Sequence, residues 1–253
     1  MTLRSWTACL AVFLVAAAAA ASPVAPEDYA ALRWRLVGPL RAGWATCAAG
    51  MPGRPETFFF GAANGGVWKT TDAGRTWSPL FQHEATASIG ALATTPAQPQ
   101  TLWVGTGQVT SRWDGASGNG VYRSLDGGAT WEPRGLAETR HIGRIWIDPR
   151  NPDVVLVAAQ GHVFGPHAER GVFRTTDAGA SWQKVLFVDD RTGAVDLGAD
   201  PSTPDTVFAA FWEARERPWL SYFQPSVGPG SGLFKSTDGG ASFTQLTSGI
   251  LSG

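Results

Sequence analysis

One eight-residue phrase occurs four times in this chain and constrains what it can fold into. It reads Ser124-Leu125-Asp126-Gly127-Gly128-Ala129-Thr130-Trp131, and it recurs as Thr70 to Trp77, Thr175 to Trp182 and Ser236 to Phe243. Each copy follows a short apolar phrase: Gly66-Val67-Trp68-Lys69, Gly120-Val121-Tyr122-Arg123, Gly171-Val172-Phe173-Arg174 and Gly232-Leu233-Phe234-Lys235. The aspartates lie 54, 51 and 61 residues apart. That period fits a four-stranded β-propeller blade with some long loops. In each copy the aspartate can accept backbone N–H groups and pin a tight turn, and the glycine two places on supplies a backbone angle other residues resist. The closing aromatic packs the hairpin on its sheet. Asp72, Gly74, Trp77, Asp126, Gly128, Trp131, Asp177, Gly179, Trp182, Asp238, Gly240 and Phe243 are therefore read as structural.

The segments around the octets repeat in a common order. Two apolar strands joined by a proline-bearing turn precede each Gly-apolar phrase, since proline cannot donate to a ladder and marks the break. The expected fold is all-β, a propeller of four-stranded antiparallel blades at 38–83, 84–138, 139–189 and 190–247. Leu32 to Val37 is expected as a closing strand, after a lead-in at 22–31. Met1 to Ala21 carries an early arginine, an apolar core of about 12 residues and small residues before a cleavage point, the three parts of an export signal. That core is shorter than the roughly 20 residues a bilayer needs. The expectation is a secreted or periplasmic bacterial protein with no stable membrane span after cleavage.

Lys plus Arg total 20 against 21 Asp plus Glu, so nothing marks a nucleic-acid surface. Thirty-one glycines, 17 prolines and 12 tryptophans describe a turn-rich β protein. Once the signal is removed only Cys47 remains, so packing and backbone pairing, not an intrachain disulfide, hold the fold.

If strands run from centre to rim, the octets join strands three and four on one face. The loops joining strands two and three share the opposite face with the connections between blades. Candidate ligand-binding residues on that long-loop face are Arg112, Trp113, His162, His167, Arg170, Arg191, Trp212, Arg215 and Trp219, because aromatics offer flat contact and arginines fork onto carboxylates. Carboxylates for glycoside hydrolysis would come from Glu84, Glu169, Asp189 and Glu213. No phosphate loop, Gly-x-Ser-x-Gly, His-Glu-x-x-His or Cys-x-x-Cys occurs. No metal or cofactor is expected.

The octets resemble the Asp-box, or BNR, repeat of sialidases, xyloglucan-cleaving glycoside hydrolases and the sortilin (VPS10) propeller. Gly65 to Thr70, His141 to Ile145 and Gly230 to Ser236 look like large secreted bacterial proteins of the sortilin-like, BNR-repeat type, often labelled glycosyl hydrolases. The resemblance implies more blades than four, so the chain is expected to be part of a larger propeller, and an unclosed ring would self-associate. Its leading implication is an exported module binding peptide, protein or glycan through the long-loop face. The alternatives are a sialidase-like or xyloglucanase-like glycoside hydrolase and a non-catalytic assembly factor. The tyrosines Tyr29, Tyr122 and Tyr222 give no match to a sialidase nucleophile.

Overall fold

The computed structural model describes residues 25, 27, 30–32, 43–109, 115–213 and 228–249. The chain divides into two units, residues 1–40 and 41–253. In the first, the Ala30 N–H reaches the Glu27 carbonyl at 3.4 Å. The expected export signal and almost all of the expected closing strand lie outside the described residues.

The second unit contains four antiparallel sheets of four strands each, every one paired in chain order. Sheet I comprises β1 (Ala45–Met51), β2 (Arg54–Ala62), β3 (Gly66–Thr70) and β4 (Ser78–Pro79). Sheet II comprises β5 (Ile89–Thr95), β6 (Gln98–Thr106), β7 (Val121–Ser124) and β8 (Glu132–Pro133). Sheet III follows with β9 (Ile142–Ile147), β10 (Val155–Ala159), β11 (Gly171–Thr175) and β12 (Gln183–Leu186), and sheet IV with β13 (Gly193–Ala199), β14 (Val207–Trp212), β15 (Gly232–Ser236) and β16 (Thr244–Gln245). The expected antiparallel four-stranded sheets are present. Three of the fourth strands are only two residues long, because the octet turns use backbone donors just ahead of them.

The turns themselves repeat atom for atom. Asp126 accepts the Ser124 hydroxyl at 2.8 Å, the Thr130 N–H at 2.9 Å and the Thr130 hydroxyl at 2.6 Å. Ser124 Oγ in turn accepts the Gly128 N–H at 2.8 Å. Asp72, Asp177 and Asp238 make the same three bonds at 2.6–2.9 Å. Gly128 sits at φ +92°, a region closed to most side chains, so the turn needs its glycine. Donated hydrogen bonds favour the ionised carboxylate and hold Asp72, Asp126 and Asp177 at about 2. Burial pushes Asp238 the other way, yet the bonds from Ser242 and Ser236 prevail and bring it to about 2 as well.

Alternation along the strands gives each sheet two apolar faces, and the sheets stack through them. Phe59 and Val67 of sheet I pack with Leu102, Val104 and Tyr122 of sheet II. Trp103 and Val121 meet Ile145, Val155, Val157 and Phe173 of sheet III. Leu156 and Val172 meet Val207, Ala209 and Phe234 of sheet IV. The inner strands β1, β5, β9 and β13 lie side by side in that order. Glycine permits the close approach: a Cβ on Gly90 would fall 2.1 Å from the Ile142 carbonyl oxygen, and one on Gly143 2.1 Å from that of Val195.

Candidate functional site

The inner strands leave two clefts along their common axis. On the face that carries the inter-sheet connections, Trp44, Ala45, Thr46, Gly90, Val109, Gly143, Val195 and Trp212 line a cavity of about 420 Å³. Two indoles stand at its ends, Trp44 just before β1 and Trp212 closing β14. The cleft at the octet end, about 520 Å³, is lined among others by Thr94, Arg144, Trp146, Asp200 and three prolines. Arg144 reaches Asp196 across that end at 3.6 Å.

Polar groups converge on the long-loop face between sheets III and IV. Asp189 accepts the N–H groups of Arg191 at 2.8 Å and Thr192 at 2.7 Å. Burial raises its pKa, but those bonds and nearby Arg170 outweigh it and leave the carboxyl below the ordinary range. Glu213, 3 % exposed, accepts the Gly230 N–H at 3.0 Å. The Glu213 N–H donates to Ser231 Oγ at 3.0 Å. Gly230 is wedged between the two acids: a Cβ there would fall 2.1 Å from Thr192 Oγ1 and 3.1 Å from Asp189 Oδ2. The fold thus brings Asp189 and Glu213 to one glycine, although 24 positions separate them in the chain.

The other two candidate acids lie apart from this pair. Glu169 faces Lys184 at 3.5 Å. Glu84 is half-buried in the connection between sheets I and II, where its N–H reaches the Phe81 carbonyl at 3.5 Å.

Arg170 is buried, and its guanidinium donates to the backbone carbonyls of Asp190, Gln160, His162 and Gly165. It ties the loop after β10 to the connection entering β13. The rings of His162 and His167 lie 4.3 Å apart. Burial lowers the pKa of His167, and the neighbouring His162 and Arg170 lower it further. Arg191 is exposed and lies 4.0 Å from Asp190. Trp212 is half-buried at the cavity mouth. Arg112, Trp113, Arg215 and Trp219 lie outside the described residues. Among the described residues, no group of three or more His, Cys, Asp and Glu is placed to hold a metal ion, and no helix is long and apolar enough to cross a membrane.

Sequence reasoning passed over the brace beneath these loops. His141 Nδ1–H donates to the Gln108 carbonyl at 2.8 Å, which leaves Nε2 to accept from the Ser117 hydroxyl at 3.3 Å. The His141 carbonyl accepts the Gln160 N–H at 2.9 Å. Burial brings His141 down to about 4, so the ring is neutral at pH 7. Gln108 and Gln160 each follow the second strand of a sheet by one or two residues, a repeated position that could have flagged them. Trp44 was also read only as the start of a strand. Cys47 is half-buried, and burial raises its thiol to about 11, which removes it as a nucleophile at neutral pH.

No family profile matches the chain. Among curated proteins it is 26 % identical over 275 residues to a xyloglucanase of Paenibacillus, covering 96 % of this chain and 25 % of that one. A xyloglucanase of Acetivibrio thermocellus is 26 % identical over 210 residues, covering 72 % of this chain and 23 % of its own length. The chain therefore spans about a quarter of the length of these relatives. Among solved structures, an ancestral GH74 enzyme superposes with a TM-score of 0.61 at 18 % identity, over 82 % of this chain and 26 % of that one. A GH74 enzyme of Niastella koreensis gives a TM-score of 0.57 at 21 % identity, over 78 % and 28 %. These similarities show an all-β, multi-bladed, propeller-like fold. They overturn the expected kinship with sortilin/VPS10-type and BNR or Asp-box proteins, because the relatives are xyloglucanases; the octet is a turn, not a family mark. They also favour the glycoside hydrolase alternative over a binding module or an assembly factor.

Proposed function

We propose that residues 43–249 are blades of a larger, exported, xyloglucanase-like glycoside hydrolase, with a β-glucan chain taken across the long-loop face. The observation that carries this reading is the 26 % identity to a xyloglucanase along 96 % of the chain. Export by residues 1–21, a lead-in at 22–31 and a closing strand at 32–37 belong to the same proposal, and with them a periplasmic or extracellular bacterial location.

The chemistry follows from the side chains at that face. Trp44 and Trp212 present flat apolar surfaces that suit the faces of sugar rings. Asp189, held ionised by its N–H donors, fits the carboxylate that attacks the anomeric carbon or activates water. Glu213, across Gly230 from it, is the partner carboxyl, assigned to protonate the leaving glycosidic oxygen. Gly230 is the glycine that lets the two approach.

The test is release of reducing ends from xyloglucan by the native polypeptide that carries these blades, compared with Asp189→Asn and Glu213→Gln. General acid–base work by these groups implies a fall of about 100-fold or more in kcat for each variant. Unchanged turnover in both variants, or a native polypeptide that releases nothing, would refute the assignment.

A further inference from the structure

The joint between consecutive sheets is built the same way three times, and its two halves are left uncovered at either end of the stack. Strand register identifies the corresponding residues. On the face of a sheet turned to its predecessor, Leu102 and Val104 of sheet II pair with Ser124 and Tyr122, as Phe58 and Phe60 of sheet I pair with Thr70 and Trp68. Leu102 and Val104 are fully buried, and the matching residues of sheets III and IV are fully buried too. Phe58 is 41 % exposed, and Phe60 and Trp68 are half-buried.

The opposite face shows the same contrast. Phe59, Trp103 and Leu156, each paired with a lysine or arginine, are fully buried against the next sheet. Their counterpart in sheet IV, Phe208, paired with Lys235, is half-buried.

The closing aromatics of the octets make the point with single atoms. Trp131 Nε1 donates to the Leu80 carbonyl of sheet I at 3.0 Å, and Trp182 Nε1 to the Arg134 carbonyl of sheet II at 2.6 Å. Trp77 Nε1 turns back to the Gly74 carbonyl of its own turn at 3.1 Å. The matching acceptor lies at the far end of the same chain. Leu80 and Arg134 each donate their N–H to the third strand, at Val67 and Val121, and Leu246 does the same at Leu233, 2.9 Å away. The Leu246 carbonyl therefore occupies the acceptor position. Lys69 adds a second cross-sheet bond, Nζ to the Gly127 carbonyl at 3.1 Å, and Lys235 is its counterpart in sheet IV.

We propose that the leading face of sheet I docks on the trailing face of sheet IV of a second copy of this chain, head to tail, with Trp77 donating to the partner's Leu246 carbonyl. Both halves of a joint that the fold already uses three times are present in one molecule, and two copies complete two such joints. A heterologous contact of this kind closes a ring when its rotation permits. The proposal is independent of the hydrolase reading.

Sedimentation equilibrium of the full chain tests it, with Phe58→Asp to disable the leading face and Phe208→Asp to disable the trailing face. Wild type is expected at twice the chain mass, and each variant alone as a monomer. An equal mixture of the two variants is expected to recover a dimer, since one intact pair of faces remains. Trp77→Phe, which removes the donor and keeps the ring, is expected to weaken association up to about tenfold, the equivalent of one hydrogen bond near 1.4 kcal/mol. A monomeric wild type at roughly 100 μM, a concentration that populates any micromolar joint, would overturn the proposal. So would variants that stay dimeric alone, or a mixture that stays monomeric while both variants melt as wild type does.

Discussion

Replacing Asp126 by alanine removes three accepted hydrogen bonds from one turn, those of the Ser124 hydroxyl, the Thr130 N–H and the Thr130 hydroxyl. Each donor regains water in the variant, because the Thr130 side of the turn is exposed. A bond to a charged acceptor is therefore discounted to about 0.7 kcal/mol, and the loss totals about 2 kcal/mol. For a domain of this size that lowers Tm by roughly 4–8 °C. Asp126→Asn keeps Oδ1 as an acceptor for Ser124 and the Thr130 N–H, so about half the loss is expected. Differential scanning calorimetry on the three proteins reads the series directly. A Tm for Asp126→Ala within about 1 °C of wild type would refute the claim that the carboxylate holds the turn.

Gly90→Ala drives a Cβ to 2.1 Å from the Ile142 carbonyl oxygen and 2.2 Å from that of Gly107, both backbone atoms, whereas Gly198 has nothing within 4 Å. The first substitution is expected to cost more than about 3 kcal/mol and the second less than about 1, read by urea denaturation. Ala178 sits at φ +56°, where the equivalent positions are Gly127 and Gly239, so Ala178→Gly is expected to raise Tm by about 1–2 °C as relief of strain exceeds the added chain entropy. The four octet aspartates are held at about 2, below the 3.8 of a free carboxyl. Their folded-state pKa is depressed, so the stability they add is complete above pH 4 and is lost as pH falls towards 2. The urea midpoint should drop across that window, less steeply in Asp126→Asn, and a midpoint flat across it would contradict the turn geometry.

The octets were legible because everything that makes them a turn lies within eight residues: donor, acceptor and the glycine at positive φ. The sheets were legible for a related reason, since each strand pairs with its sequence neighbour. The acid pair was not. Asp189 and Glu213 were on the page as separate loop residues, but their meeting depends on Gly230, which the fold wedges between them. Arg170 read as a ligand hook because an arginine in a loop usually faces water, yet here four backbone carbonyls surround it. Kinship misled for a physical reason. A turn that works by local hydrogen bonds is useful to any propeller, so it carries the fold and says nothing of the relatives, which proved to be xyloglucanases.

The most direct test of the account is calorimetric titration of the native polypeptide with a xyloglucan oligosaccharide, alongside Trp44→Ala and Trp212→Ala. Sugar stacking on the indoles at the 420 Å³ mouth predicts saturable binding in the wild type, weakened about tenfold or more in each variant. A wild type that takes up no xyloglucan, or variants that bind as it does, would contradict the claim that this face receives the glucan.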